Sequence, residues 1–261
     1  MAVSFSMITL LSVGIFLLAL LAASELGRRL GAAQLRQDPD GLAKGIGAAE
    51  AAVFGLLGLL LAFTFSGAAS RFEERRQLVT IEANAIGTAW LRIDLLPADA
   101  QPQMRDLFRS YLDGRLDTYH HGEDLGAART SLAEDESLQG RIWRLAVVET
   151  LKPGVPTQAG MLMLPALNDM IDITTTRVMA TRDHPPAIVY LMLAVLSLVG
   201  SLLVGYGISA NRRRSWLHTI VFAGILTVTT YVIVDLEFPR LGLIRVDSAD
   251  QVLVELRASM R

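Results

Sequence analysis

Arg71, Glu73, Glu74, Arg75 and Arg76 follow directly on a long apolar run. Charges of both signs in that position attract ions or pair with each other; they do not make or break bonds. Two readings fit them. One is a solvated helix surface just past lipid headgroups, with Arg71 and Glu74 as an i,i+3 pair. The other gives at least one of them a role in an inter-subunit contact or an ion-attracting ring. His120 and His121 stand among several acids, but without the ligand spacing of a metal motif, and the stretch from His120 to Glu136 reads as a mobile loop. There is no GxGxxG, P-loop, HExxH or GxSxG, no nucleophile beside a base, and no cysteine. The residues point away from an enzyme and call for no cofactor or metal. A net charge of −2 gives no reason to expect nucleic-acid binding.

The charged cluster ends a stretch that reads as one uninterrupted helix, Phe54 to Arg76. It is apolar first, small and hydroxylated in the middle, and charged last. Gly55, Gly58, Ala62, Ser66 and Ala69 recur at steps of three and four, which places small residues along one face. In lipid such a face is where helices approach closely; around a symmetry axis it would surround a pore. Along the same helix Leu59 and Phe63 give way to Thr64, Ser66 and Ser70, then to Arg71 and Arg75. That order describes an apolar constriction opening into a polar mouth that draws anions, with Glu73 and Glu74 cancelling part of the positive charge.

Four runs are long and apolar enough to cross a hydrocarbon core, which takes roughly 20 helical residues: about 3–23, 48–67, 187–207 and 216–234. The first has no charged region ahead of it and is longer than a signal-peptide core, so it reads as a retained span. After it comes a polar connection in which Gly31, Pro39, Gly41 and Gly45 are breakers. The spans carry no acid or histidine at mid-membrane, only Glu50 and His218 near their ends, which disfavours proton-coupled transport.

Residues 68–184 form a soluble insert. Phe72, Val79, Ile86, Trp90 and Ile93 extend the second span as an amphipathic helix that Pro97 and Pro102 stop. Met104, Leu107, Phe108, Tyr111, Leu112 and Tyr119 mark a second helix, and helices near 138–152 and 161–182 complete the insert. No strand pattern competes. The expected architecture is an all-α membrane protein: spans 1 and 2 in residues 1–67, the helical insert 68–184, a hairpin of spans 3 and 4 in 185–236, and a tail 237–261 docking on the insert.

The stretch LAFTFSGAASRFEERRQ resembles the point where the pore helix of bacterial bestrophins leaves the membrane, with Leu61, Phe63, Ser66, Arg71, Phe72, Glu74 and Arg75 at matching positions. Over its length the chain is more similar still to bacterial bestrophin-like membrane proteins of unknown function, through RRQLVTIEANAIGTAWLRIDLLP, RSYLDGRL and FPRLGLIRV. The resemblance implies a homo-oligomer, preferably a pentamer, in a bacterial inner membrane, conducting small inorganic ions. Its neck would be formed by Gly55, Leu59 and Phe63, and its inserts would enclose a cytosolic vestibule. Departures from the family pattern are Thr64 and Phe65 for its polar pair, Ser70 for an aspartate and Glu73 for a tryptophan. Asp247 and Asp250 are scattered and do not make the calcium clasp of animal bestrophins. The alternative is a non-conducting scaffold or sensor whose insert binds a partner.

Four spans put the insert and both termini on one side of the bilayer. Positive charges near the span ends number seven on each side, and an uncharged N-terminal tail ahead of an Arg-flanked first span favours an extracytoplasmic insert. The bestrophin layout places it in the cytoplasm.

Overall fold

A computed structural model describes residues 5–37, 46–120, 125–210, 216–238, 243–244 and 247–260. The described residues are almost entirely helical: α1 (Phe5–Gln37), α2 (Ile46–Leu91), α3 (Gln101–His120), α4 (Leu125–Thr150), α5 (Thr157–Arg182), α6 (Ala187–Gly207), α7 (Trp216–Glu237) and α8 (Asp247–Ser259). Four helical segments are long and apolar enough to cross a membrane. The chain divides into two units, Met1–Ser70 with His184–Phe238, and Arg71–Asp183 with Pro239–Arg261.

In the first unit α1 and α6 are the most intimately packed pair. Ser201 Oγ donates to the carbonyl of Leu20 at 2.9 Å. A Cβ on Gly205 would fall 1.8 Å from the carbonyl oxygen of Ser24, and one on Gly27 1.9 Å from that of Leu202. The backbones therefore touch, as small residues permit in lipid, where no hydrophobic effect drives helices together. The matched pairs 20–201 and 24–205 ascend together, so α1 and α6 run parallel. This crossing overturns one expectation. Gly31 does not break the helix after the first span, because α1 continues through it to Gln37, and a Cβ there would lie 2.3 Å from Ser209 Oγ. Pro39, Gly41 and Gly45 lie outside the described residues.

The membrane half of α2 meets its unit mainly through Phe54 and Leu57. A Cβ on Gly200 would lie 3.4 Å from atoms of both, and Phe54 meets Phe222 edge-on with ring centroids 5.9 Å apart.

The second unit is a helical bundle formed by the rest of α2 with α3, α4 and α5. Val79, Ile86, Trp90 and Ile93 are buried, as are Met104, Leu107, Phe108, Tyr111 and Leu112, so these members of the two predicted apolar stripes face the core; Phe72 is half-buried, and the side chain of Tyr119 lies outside the described residues. A 3₁₀ turn, Arg92–Leu95, closes α2. α8 lies on α3: Leu253 is fully buried, Arg257 grips Asp113 through two hydrogen bonds of 2.7 and 2.9 Å, and Arg109 Nε donates to the carbonyl of Met260. Gly154, at φ 89°, makes the turn from α4 into α5.

The stretch from His120 to Glu136 is a second correction. Residues 121–124 are not described, but α4 begins at Leu125, well before the expected 138. Polar composition suggested a loop there; the run LGAARTSLAEDE is rich in good helix formers. Its Asp135 is buried against Arg115, which a loop tip would not be.

Candidate functional site

α2 has two faces in its membrane half. Leu57 and Ala68 are buried, Phe54, Leu61 and Thr64 half-buried. Gly55, Gly58, Leu59, Ala62, Phe63, Ser66 and Ser70 are exposed, with Ala69 half-buried beside them. A Cβ on Gly55 or Gly58 would find no atom within 4 Å. Phe63 is 69% exposed and Leu59 53%. The chain thus brings the sequence-derived neck residues and the small-residue face to one exposed side of the helix.

Two residues assigned to the mouth are elsewhere. Thr64 turns the other way, and its hydroxyl donates back to the carbonyls of Leu60 (2.8 Å) and Leu61 (3.1 Å). Arg75 is buried; its Nε donates to the carbonyl of Ala180 at 3.0 Å and its Nη2 to that of Asp183 at 2.8 Å. These are carbonyls at the C-terminal end of α5, where the last turn lacks intrahelical donors and the helix dipole favours a cation. Arg75 caps a helix. Arg71 is half-buried, whereas Glu73 and Glu74 are exposed, and Glu73 pairs with Arg76 at 2.9 Å.

The part of α2 in the second unit is tied to its bundle by a buried polar layer with one charged residue from each helix. Glu82 of α2 accepts from Arg115 Nε of α3 at 2.7 Å and from Arg177 of α5; Arg115 Nη1 also donates to Asp135 of α4 at 3.2 Å. Burial alone would push the Glu82 carboxyl up, but the two guanidinium groups outweigh it and hold it below the usual carboxylate range. Beside this layer Tyr111, Gln139 and Thr174 form a closed triad of hydrogen bonds of 3.0–3.1 Å. Sequence reading missed the layer because its members lie on four helices, each a lone charge or amide in an apolar stripe. It also missed the close α1–α6 crossing, whose signal was Ser197, Ser201 and Gly205 at steps of four. A further omission is the end of α7, where Asp235 and Glu237 are buried and Glu237 meets His184 Nδ1 at 3.4 Å.

Among the described residues no group of His, Cys, Asp or Glu is arranged to hold a metal ion. Four helical segments long and apolar enough to cross a membrane, one of them continuing into a helical bundle, define the class as an all-helical membrane protein. A profile of the bestrophin-like domain matches residues 5–250, and the chain belongs to the bestrophin-like family. Two crystal structures of a bacterial bestrophin homologue from Klebsiella pneumoniae share its fold. One, with a tyrosine replaced by alanine, superposes with a TM-score of 0.71 at 14% identity, covering 95% of this chain and 100% of the homologue. The other, with a tryptophan replaced by alanine, gives 0.66 at 16% identity, covering 96% and 98%. No curated protein sequence matches the chain.

Proposed function

We propose that the protein is a homo-oligomeric ion channel of the bacterial inner membrane, a pentamer with five copies of α2 around a central pore. Gly55, Leu59 and Phe63 form its neck, and Ser66 and Ser70 open into its mouth. One observation carries this reading. The exposed faces of α1, α6 and α7 present Leu10, Leu11, Ile15, Leu18, Ile188, Leu191, Ile220, Ile225 and similar large side chains, as lipid-facing surfaces do. The exposed residues of α2 include Leu56, Leu59, Phe63 and Phe65, but they are interleaved with exposed Gly55, Gly58, Ala62 and Ser66. Small residues suit close helix approach, and an apolar ring suits a constriction that gates by wetting.

With Arg75 engaged at the end of α5, the exposed charges nearest the mouth are Glu73, Glu74 and Arg76. The positive rim that would favour anions is reduced, and we read the pathway as one for small ions of either sign. Purified protein in liposomes is expected to pass ions under an imposed gradient, and Phe63→Ala to raise that flux by widening the constriction. If neither protein exceeds empty liposomes across several anions and cations, the pore reading fails and α2's small face is a packing surface of a non-conducting scaffold.

A further inference from the structure

The exposed side of α2 does not end at the mouth. From Phe63, steps of three and four reach Ser66, Ser70, Glu73, Gln77, Thr80, Asn84 and Thr88, every one exposed, and end at Leu91, 71% exposed. Between them Leu78, Val79, Glu82, Ala83, Ile86, Ala89 and Trp90 are buried. From Gln77 to Leu91 that side carries no charge, and Ile81, 49% exposed, lies within it; its charges, Glu73 (paired with Arg76) and Glu74, come before.

Such a composition suits neither of the ordinary fates of a helix face. Faces bathed in open solvent are rich in charged residues. Faces that pack against protein are also poor in charge, but their centres are enriched in aromatic residues and Met, which this stripe lacks beyond the neck. Gln77, Thr80, Asn84 and Thr88 are neutral donors and acceptors. Helical threonines commonly turn their hydroxyl onto a carbonyl one turn back, and Thr64, Thr150, Thr174, Thr176, Thr181 and Thr227 all do so. Thr80 and Thr88, like Thr175, Thr229 and Thr230, do not; among the described residues, neither they nor Gln77 nor Asn84 hydrogen-bonds through its side chain.

We infer that Gln77, Thr80, Asn84 and Thr88 form a neutral hydration track that lines the aqueous section of the conduit, beyond the neck. This rests on the pore reading and adds to it the residues that set selectivity there. Hydroxyl and carboxamide oxygens face cations, and their O–H and N–H groups face anions, so a track of this kind partly replaces an ion's water without choosing its sign. Charge placed on it would then choose.

The test uses the full chain in liposomes. Thr80→Asp and Thr80→Lys alter an exposed position, where substitutions cost little stability. They are expected to shift the reversal potential in opposite directions under a potassium chloride gradient. Because the chain has no cysteine, Asn84→Cys and Thr88→Cys each give a single thiol, and a charged methanethiosulfonate reagent should change their flux. The same reagent on Ser137→Cys, exposed on α4, should leave flux unchanged. If Phe63→Ala alters flux while no charge or label on the track moves flux or reversal potential, the track is overturned and the pore reading stands. If no variant conducts, both fall.

Discussion

Glu82→Gln is the most informative single change to the bundle. The carboxylate sits at the centre of a layer with two carboxylates and two guanidinium groups, all buried. The amide keeps the shape and one acceptor oxygen but removes the charge. Asp135 alone is then left to balance Arg115 and Arg177. Breaking a buried pair from one side costs about 3–5 kcal/mol, because it strands an uncompensated charge in low dielectric. That is about a fifth of the stability of a typical domain at the least and all of it at the most, on a scale of about 5–15 kcal/mol. For a domain of this size about 3 °C accompanies each kcal/mol, so the unfolding midpoint should fall by about 9–15 °C. Intrinsic tryptophan fluorescence on heating in mild detergent reads it, since Trp90 and Trp143 belong to the bundle core and its margin. The pH dependence has a definite sign. The folded carboxyl is held below its ordinary 4.5, so its contribution is fully present above that value and is lost as pH falls through the folded one. The gap between wild type and Glu82→Gln should be flat from pH 5 upward and close only in stronger acid. A midpoint shift under about 3 °C, equivalent to about 1 kcal/mol, would refute the reasoning. So would strict additivity of Glu82→Leu and Arg115→Leu in a double-mutant cycle, where contacting residues should show a coupling above about 0.5 kcal/mol.

Gly205→Ala should weaken the membrane unit by about 1–3 kcal/mol or more, since overpacking here meets backbone, whereas Gly14→Ala, with nothing within 4 Å, should not; denaturation in detergent separates them, and equal stability would contradict the crossing. Arg75→Ala should cost about 1.5–3 kcal/mol, the worth of hydrogen bonds to a charged group, and hydrogen exchange should accelerate first at residues 179–183; Arg75→Lys should not restore protection, because one ammonium does not reproduce the fork onto two carbonyls. Reporter fusions at Gly122 and at the C-terminus should report the same compartment, and opposite reports would mean that a span has been miscounted.

Composition and periodicity determined much of this protein without any structure. An apolar run of about twenty residues has few fates other than a membrane-spanning helix, and α6 ends where its pattern ends, at Ala187 and Gly207. The bundle's apolar stripes were equally legible, because helical spacing maps directly onto burial: Val79, Ile86 and Ile93 were chosen by period and are buried. What the sequence left open was the partner of each polar group, since a lone charge reads the same whether it faces solvent or another helix. Arg75 looked like part of a rim and is a cap on α5; Asp135 looked like loop and is buried beside Arg115. Glycines were ambiguous in the same way. Gly31 has the type of a breaker, and only the nearness of Ser209 shows that it is there to let two helices touch. Spacing along one chain carries the direction in which a side chain points. Tertiary packing alone decides what it finds there.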